Sequence, residues 1–187
     1  MVSINIGCGT KTIPGYLGAD LKLTPNCDVV LDVEAPNLPF RDNSVDRIFT
    51  AHVLEHINKL QHVMEQFHRV LTPGGAIEIR VPHYSSVYSW SDPTHVRVFT
   101  SLSFDGFCSG GTQHYLNRYF VMKNKRIYFT MVSENTRHWS IQMGWALISL
   151  INTLANVNIF FCERVWCQWL GGFEEIHFTL LNNAEVD

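Results

Sequence analysis

The sequence predicts an α/β fold: a mostly parallel sheet with helices between its strands. Three observations carry that prediction. Short apolar segments rich in β-branched residues alternate with turns through the first half of the chain. One long stretch of three- and four-residue apolar spacing falls between two of them. The first segment runs directly into Gly7-Cys8-Gly9. Strands alternating with a helical period imply crossover units and parallel pairing. A glycine turn closing the first strand allows close backbone approach at the carboxyl edge of the sheet, where open α/β sheets bind ligands.

Each element follows from its local pattern. Strands are predicted over 3–6, 18–21, 28–33 and 45–50, the third of them β-branched. Leu54, Ile57, Leu60, Val63, Met64, Phe67, Val70 and Leu71 then recur on one helical face. Asn58 is positioned to cap the main part of that helix, and Pro73-Gly74-Gly75 to stop it. Residues 76–81 (Ala-Ile-Glu-Ile-Arg-Val) read as a fifth strand closed by Pro82. Residues 83–120, rich in Ser, His, Tyr and Phe, predict mixed loop and helix. Strands follow over 126–132 and 174–181, with an apolar helix over 139–157 between them.

The chain has 187 residues, 46% hydrophobic and 17% charged, with a formal net charge of −3. That length fits one domain whose core needs no disulfide or metal staple. The charge gives no basic footprint, so no nucleic-acid partner is expected, and the apolar content excludes a disordered chain. Five widely spaced cysteines without a C-x-x-C pair point to reduced thiols. No basic segment followed by an apolar stretch opens the chain, and a cytoplasmic location is expected. Residues 139–162 carry no charge, but Gln142, Ser149, Asn152, Asn156 and Asn158 interrupt them, so no membrane span is expected. Four of these, Gln142, Ser149, Asn152 and Asn156, share one narrow face. The wide apolar remainder is expected to bury against protein.

Gly-x-Gly after a strand suggests a nucleotide-type cofactor. A dinucleotide fingerprint would place a third glycine at position 12, where Thr12 stands, and an acidic residue about 20 residues on. Asp20 instead follows Gly9 by 11 residues. A ribose-bearing cofactor without a pyrophosphate turn fits better, with a carboxylate to accept from both ribose hydroxyls. Taken singly, Gly7 and Gly9 could form an ordinary tight turn, and Asp32 could open a turn before Pro36.

Five motifs occur in order: Ile-Asn-Ile-Gly-Cys-Gly at 4–9, Pro-Gly-Tyr-Leu-Gly-Ala-Asp at 14–20, Leu-Pro-Phe at 38–40, Asp-Arg-Ile-Phe with His-Val-Leu-Glu-His within 46–56, and Arg-Val-Leu-Thr-Pro-Gly-Gly at 69–75. Together they resemble a small class I, Rossmann-like S-adenosylmethionine-dependent methyltransferase, closely over 3–82 and loosely beyond. The resemblance implies S-adenosylmethionine as cofactor. Gly7 and Gly9 would border its methionine part, Asp20 would hold the ribose hydroxyls, and Leu21 would lie against the adenine. Asp32 and Val33 would meet the adenine edge, and Ala51 and His52 would line the pocket beneath the sulfonium. Asn5 stands where the family commonly carries an acidic residue, keeping the hydrogen bonding without the charge. The chain would form a single methyltransferase domain, with a cofactor-binding half over 3–82 and a substrate-binding and covering half over 83–187.

The implied reaction is in-line methyl transfer to an oxygen or nitrogen of a small-molecule or saccharide-type acceptor. Alignment supplies much of such catalysis, and an acceptor that must lose a proton gains from a general base. His83-Tyr84-Ser85-Ser86 opens at the same sheet edge, and Asp92-Pro93-Thr94-His95 follows it. His83 and His95 are the candidate bases or orienting groups, supported by Tyr84 and Asp92. Two other functions stay open. One is a catalytically silent methyltransferase-like binding module. The other is a zinc hydrolase, because His52-Val53-Leu54-Glu55-His56 matches H-x-x-E-H. On a helix those imidazoles would share a face at i and i+4. Here His52 falls where the fourth strand ends, and no metal ligand is assigned.

Spacing constrains the architecture further. Eight residues separate Gly9 from Gly18, and six separate Leu21 from Asp28. Full helical crossovers take a dozen or more, so the first crossovers must be shortened. Parallel sheets are normally covered on both faces. The 139–157 helix is therefore expected to cover the exposed side, or a second copy of the chain to do so as a homodimer.

Overall fold

The computed structural model describes residues 1–110, 117–129, 139–169 and 172–183. Its strands are β1 (Ser3–Ile6), β2 (Leu17–Asp20), β3 (Val29–Val30), β4 (Val45–Ala51), β5 (Leu71–Pro82), β6 (Phe120–Tyr128) and β7 (Glu175–Asn182). They form one sheet in the order β3-β2-β1-β4-β5-β7-β6. Strands β1 to β5 pair in parallel, and β7 runs antiparallel to both β5 and β6. The helices are α1 (Leu60–Val70), α2 (Tyr88–Ser91), α3 (Trp139–Val157), α4 (Ile159–Arg164) and α5 (Trp166–Trp169). As the spacing requires, the connections after β1 and β2 hold no helix.

Several local expectations shift. Leu54–His56 is a separate 3-10 turn, and α1 starts at Leu60 behind Lys59 rather than Asn58. The Lys59 N–H donates to Glu34 Oε1 at 2.6 Å, a cap supplied from a distant loop. β5 begins directly after α1. Pro73-Gly74-Gly75 therefore does not stop the helix; it forms a bulge between Leu71, opposite Val45, and Ala76, opposite Arg47. β6 starts at Phe120, well before 126, and residues 130–132 lie outside the described residues.

The sheet is two-faced. Ile48, Ile77, Ile79, Val81, Ile176, Phe178 and Leu180 are buried on one side. They join one cluster with Val63, Met64 and Phe67 of α1 and with Phe99 and Phe104. Each such side chain stabilises the fold by about 1.5–3 kcal/mol relative to exposure. Arg47, Glu78, Arg80, Arg126, His177 and Thr179 alternate with these positions and stay half or fully exposed. A polar face offers no apolar area for a helix to remove from water.

The expectation that α3 covers this face is overturned. α3 lies along the outer edge of β6, and its asparagines rather than its leucines face the sheet. Asn156 Oδ1 accepts from the Ile127 N–H at 3.0 Å, while its Nδ2 donates to the Ile127 carbonyl at 2.8 Å. Asn152 Oδ1 accepts from the Phe129 N–H at 2.7 Å. An edge strand carries backbone groups with no partner strand, and leaving such a group unsatisfied costs about 1–3 kcal/mol. The two amides replace the missing strand. Leu147, Leu150 and Leu154 consequently point outward, 59%, 53% and 59% exposed. The side chain of Gln142 lies outside the described residues. Among the described residues no single helix is long and apolar enough to cross a membrane.

A buried pair fastens α4 to the end of β5. His83 is fully buried, with Nε2 3.0 Å from Glu163 Oε1 and Nδ1 2.8 Å from Ser85 Oγ. The Ser101 N–H and Oγ donate to the two oxygens of Glu163, both at 2.6 Å. Burial opposes ionisation of Glu163, but the hydrogen bonds from His83 and Ser101 outweigh it and hold the carboxyl below its usual range.

Two outcomes follow for stability. Asn156→Ala should lower the unfolding free energy by about 1–2 kcal/mol, and Leu150→Ala by less than about 0.5, measured by urea denaturation; the reverse ranking would overturn the orientation of α3. A carboxyl held low when folded contributes stability above its unfolded pKa and loses it as pH falls through the folded value. Glu163→Gln should lower the Tm at pH 7, and its Tm should fall less steeply than that of the wild type below the ordinary carboxyl value of 4.5. Parallel calorimetric profiles would refute this.

Candidate active site

Strand register gathers the site. Ile6 lies opposite Ala19 of β2 and Thr50 of β4, so the segments after β1, β2 and β4 leave one edge side by side. Gly7 has φ +73°, a left-handed conformation that glycine adopts without cost. A Cβ on Gly7 would stand 2.1 Å from Cγ2 of Val53, so the segment after β4 packs directly on it. Gly9, at φ +52°, differs: a Cβ there would meet nothing within 4 Å. Its backbone faces open space. The Gly9 N–H donates to Asp20 Oδ2 at 2.8 Å, and the Lys22 N–H to Asp20 Oδ1 at 3.2 Å. Both oxygens keep acceptor capacity beyond those bonds. An approachable backbone beside a half-buried carboxylate at the end of β2 fits a vicinal diol such as a ribose.

The other predicted cofactor residues divide. Leu21 is 64% exposed beside Asp20, where it offers an apolar surface. Ala51 ends β4, half-buried. Asp32 is exposed, and its Oδ1 accepts from the Glu34 N–H at 2.8 Å, shaping its own turn, while the Val33 side chain is buried in the core. Asn5 lies opposite Gly18 and, with Lys11, Tyr16 and Asp28, lines a cavity of about 180 Å³. A larger cavity of about 420 Å³ lies between α3 and β6, lined by Arg126, Tyr128, Asn152 and Asn156. It is at the opposite end of the sheet from β2.

The candidate bases also separate. His83 does not face an acceptor, because Glu163 and Ser85 engage both ring nitrogens and draw the ring into the interior. The Tyr84 hydroxyl donates to the Glu163 carbonyl at 2.8 Å, and burial pushes its pKa up to about 12. His83 is thus buried and Tyr84 half-buried, both held by Glu163 rather than facing open space. His95 is half-buried; its Nδ1 donates to the Ser89 carbonyl at 3.2 Å, and its ring meets His56 edge-on at 4.7 Å between centroids.

His52 sits at φ +56°, uncommon for a residue with a side chain. Its ring spans two carboxylates, with Nε2 2.7 Å from Glu175 Oε1 and Nδ1 3.3 Å from Glu55 Oε1. The hydrogen bond to Glu175, then the longer contact with Glu55, raises its pKa to about 9, so it is an imidazolium at neutral pH. Burial opposes the charge on Glu175, yet hydrogen bonds from His177 and His52 bring its carboxyl down to about 2. Glu175 was not among the sequence candidates. It enters because β7 runs antiparallel, which sets its first residue opposite Pro82, where β5 ends. The strand was legible; its direction was not. Because Leu54–His56 is a 3-10 turn, His52 and His56 are not stacked on a helix, and the premise of the zinc-hydrolase reading is lost.

A family model described as a methyltransferase domain matches residues 4–79. No curated protein matches the sequence. Among solved structures, a SAM-dependent methyltransferase from Archaeoglobus fulgidus has a TM-score of 0.58 at 18% identity, covering 96% of this chain and 85% of that one. The YcgJ protein from Bacillus subtilis has a TM-score of 0.56 at 15% identity, over 97% and 91% of the two chains. The [4+2]-cyclase SpnF has a TM-score of 0.50 at 15% identity, over 97% and 74%. At these identities the likenesses establish the fold. The matched segment carries Gly7, Gly9, Asp20 and His52 in the geometry described above. Residues 4–79 thus match a methyltransferase-domain family, and the chain as a whole has the fold of S-adenosylmethionine-dependent methyltransferases.

Proposed function

We propose that the chain transfers the methyl group of S-adenosylmethionine to an oxygen or nitrogen of a small-molecule or saccharide-type acceptor. The observation that carries this reading is the Gly9–Asp20 pairing at the carboxyl edge, with its open backbone and a carboxylate suited to a diol. When bound, the cofactor supplies a methyl already activated by a positive sulfur. Gly7 and Gly9 border its amino-acid part, Asp20 takes the ribose and Leu21 the adenine. Asn5, Ala51 and His52 line the strand ends around it, and the turn at Asp32 and Val33 bounds its far side.

Chemistry then rests on alignment of the acceptor. His52 holds its proton too tightly to act as a base near neutrality. His95 is the imidazole left to orient or deprotonate an acceptor, which residues 83–110 and the C-terminal half hold. The polar sheet face does not require a second copy to cover it, and a homodimer is not part of this proposal.

A second reading, a module that binds the cofactor without transfer, draws support from the engagement of His83 and Tyr84 with Glu163. Fold alone does not dictate chemistry, and SpnF is a cyclase on the same architecture.

Titration calorimetry tests the first reading with S-adenosylhomocysteine, NAD and ATP. S-adenosylhomocysteine should bind and the other two should not. Asp20→Ala should weaken binding by about tenfold or more, as expected for a lost hydrogen bond to a charged group. Binding of NAD without S-adenosylhomocysteine would overturn the assignment. If S-adenosylhomocysteine binds but a broad acceptor screen with labelled cofactor yields no transfer, the second reading stands.

A further inference from the structure

A second constellation follows directly on His52. Glu55, His56 and His95 each present one ligand atom, and these atoms all lie within 4.8 Å of one another. Three features set it apart from a chance gathering of polar groups.

The first is a buried acid whose oxygens make no well-formed hydrogen bond and whose near cation, His52, is shared with Glu175. Glu55 is 1% exposed, and neither of its carboxylate oxygens has a hydrogen-bond partner. His52 approaches it, but at 3.3 Å, while the other ring nitrogen of His52 is committed to Glu175 at 2.7 Å. Buried carboxylates are normally paired and hydrogen-bonded, or coordinate a metal.

The second is support from behind. Thr94 Oγ1 donates to Asp92 Oδ1 at 2.6 Å, which leaves its oxygen to accept from His56 Nδ1 at 2.9 Å. His95 Nδ1 donates to the Ser89 carbonyl at 3.2 Å. Both rings thus have Nδ1 engaged, which leaves Nε2 as the nitrogen to meet an ion; Asp92 Oδ2 lies 3.9 Å from Nε2 of His95. Metal-binding histidines almost always have such a partner for the second nitrogen.

The third is rigidity. The Val96 N–H donates to the Glu55 carbonyl at 2.9 Å, and Arg97 Nη2 donates to the Ile57 carbonyl at 2.6 Å. These bonds lock the loop bearing His95 against the turn bearing Glu55 and His56.

We propose that Glu55, His56 and His95 bind a divalent first-row transition-metal ion. Two imidazoles and one carboxylate form a mixed nitrogen and oxygen set that suits zinc, cobalt, iron or manganese; calcium and magnesium favour all-oxygen ligands. Three protein ligands leave a coordination position for water or for an oxygen of a bound small molecule. H-x-x-E-H is thereby read anew. Glu55 is a ligand and not a base, and His95, from outside the motif, takes the place of His52. The site is separate from the cofactor pocket; with an ion bound, both nitrogens of His95 are engaged, so the part of its ring in orienting an acceptor passes to the open coordination position.

The test uses the whole chain, stripped with a chelator and titrated with Co²⁺ and then Zn²⁺. One equivalent of Co²⁺ should bind with visible d–d absorption, Zn²⁺ should displace it, and the Tm should rise with either ion. His56→Ala and His95→Ala should each weaken Co²⁺ binding by about tenfold or more. His62→Ala, which removes an imidazole on α1 bonded to the Ala35 carbonyl, should leave it unchanged. Absence of saturable binding, binding that survives both ligand substitutions, or loss equal to that of His62→Ala would each overturn the proposal. Asp20→Ala should lose S-adenosylhomocysteine yet keep Co²⁺, so failure of one site is distinguishable from failure of the other.

Discussion

The arrangement at the carboxyl edge depends on the contact between Gly7 and Val53. A side chain on Gly7 would sit 2.1 Å from Val53 Cγ2, and its positive φ adds a second reason for glycine. Because that space is shared, the segments after β1 and β4 descend against each other. On one side of the contact the chain turns through Gly9 to meet Asp20. On the other it turns through Leu54–His56, with Glu55 inside and His56 facing His95. One missing Cβ thus sets the spacing between the Gly9–Asp20 turn and the turn that carries Glu55 and His56.

A second constraint is the asymmetry of the sheet. With no helices after β1 and β2, one face has little to cover it among the described residues, and that face is polar. The alternation in 76–81 and again in 175–180 gives apolar residues to one side and Glu78, Arg80, His177 and Thr179 to the other. Such alternation is the mark of a sheet wetted on one face. It was visible in the sequence, but the usual rule for parallel sheets outweighed it in the expectation that α3 must be a cover. α3 instead solves an edge problem, with two asparagine amides standing in for a neighbouring strand.

The buried network around His83 has a similar logic. A histidine after a strand at the ligand-binding edge has the sequence context of a catalytic base. Whether it serves as one depends on which acid comes to meet it, and Glu163 lies 80 residues away in the chain. The same holds at His52, whose protonation is governed by Glu175 on a strand whose direction no local pattern reveals.

The sequence by itself determined the strands of the first half, the absence of full helical crossovers, the glycine turn and the methyltransferase resemblance of residues 3–82. These rest on local rules: alternation, helical period, spacing and the backbone freedom of glycine. Only the tertiary structure decided which face of α3 turns inward, that His83 is sealed and His95 is not, and that Glu55 is left without a hydrogen bond beside two imidazoles. Those outcomes turn on pairing between residues far apart in the chain, where burial makes every unsatisfied polar group costly. A one-dimensional pattern carries the cost of each group but not the identity of the partner that relieves it.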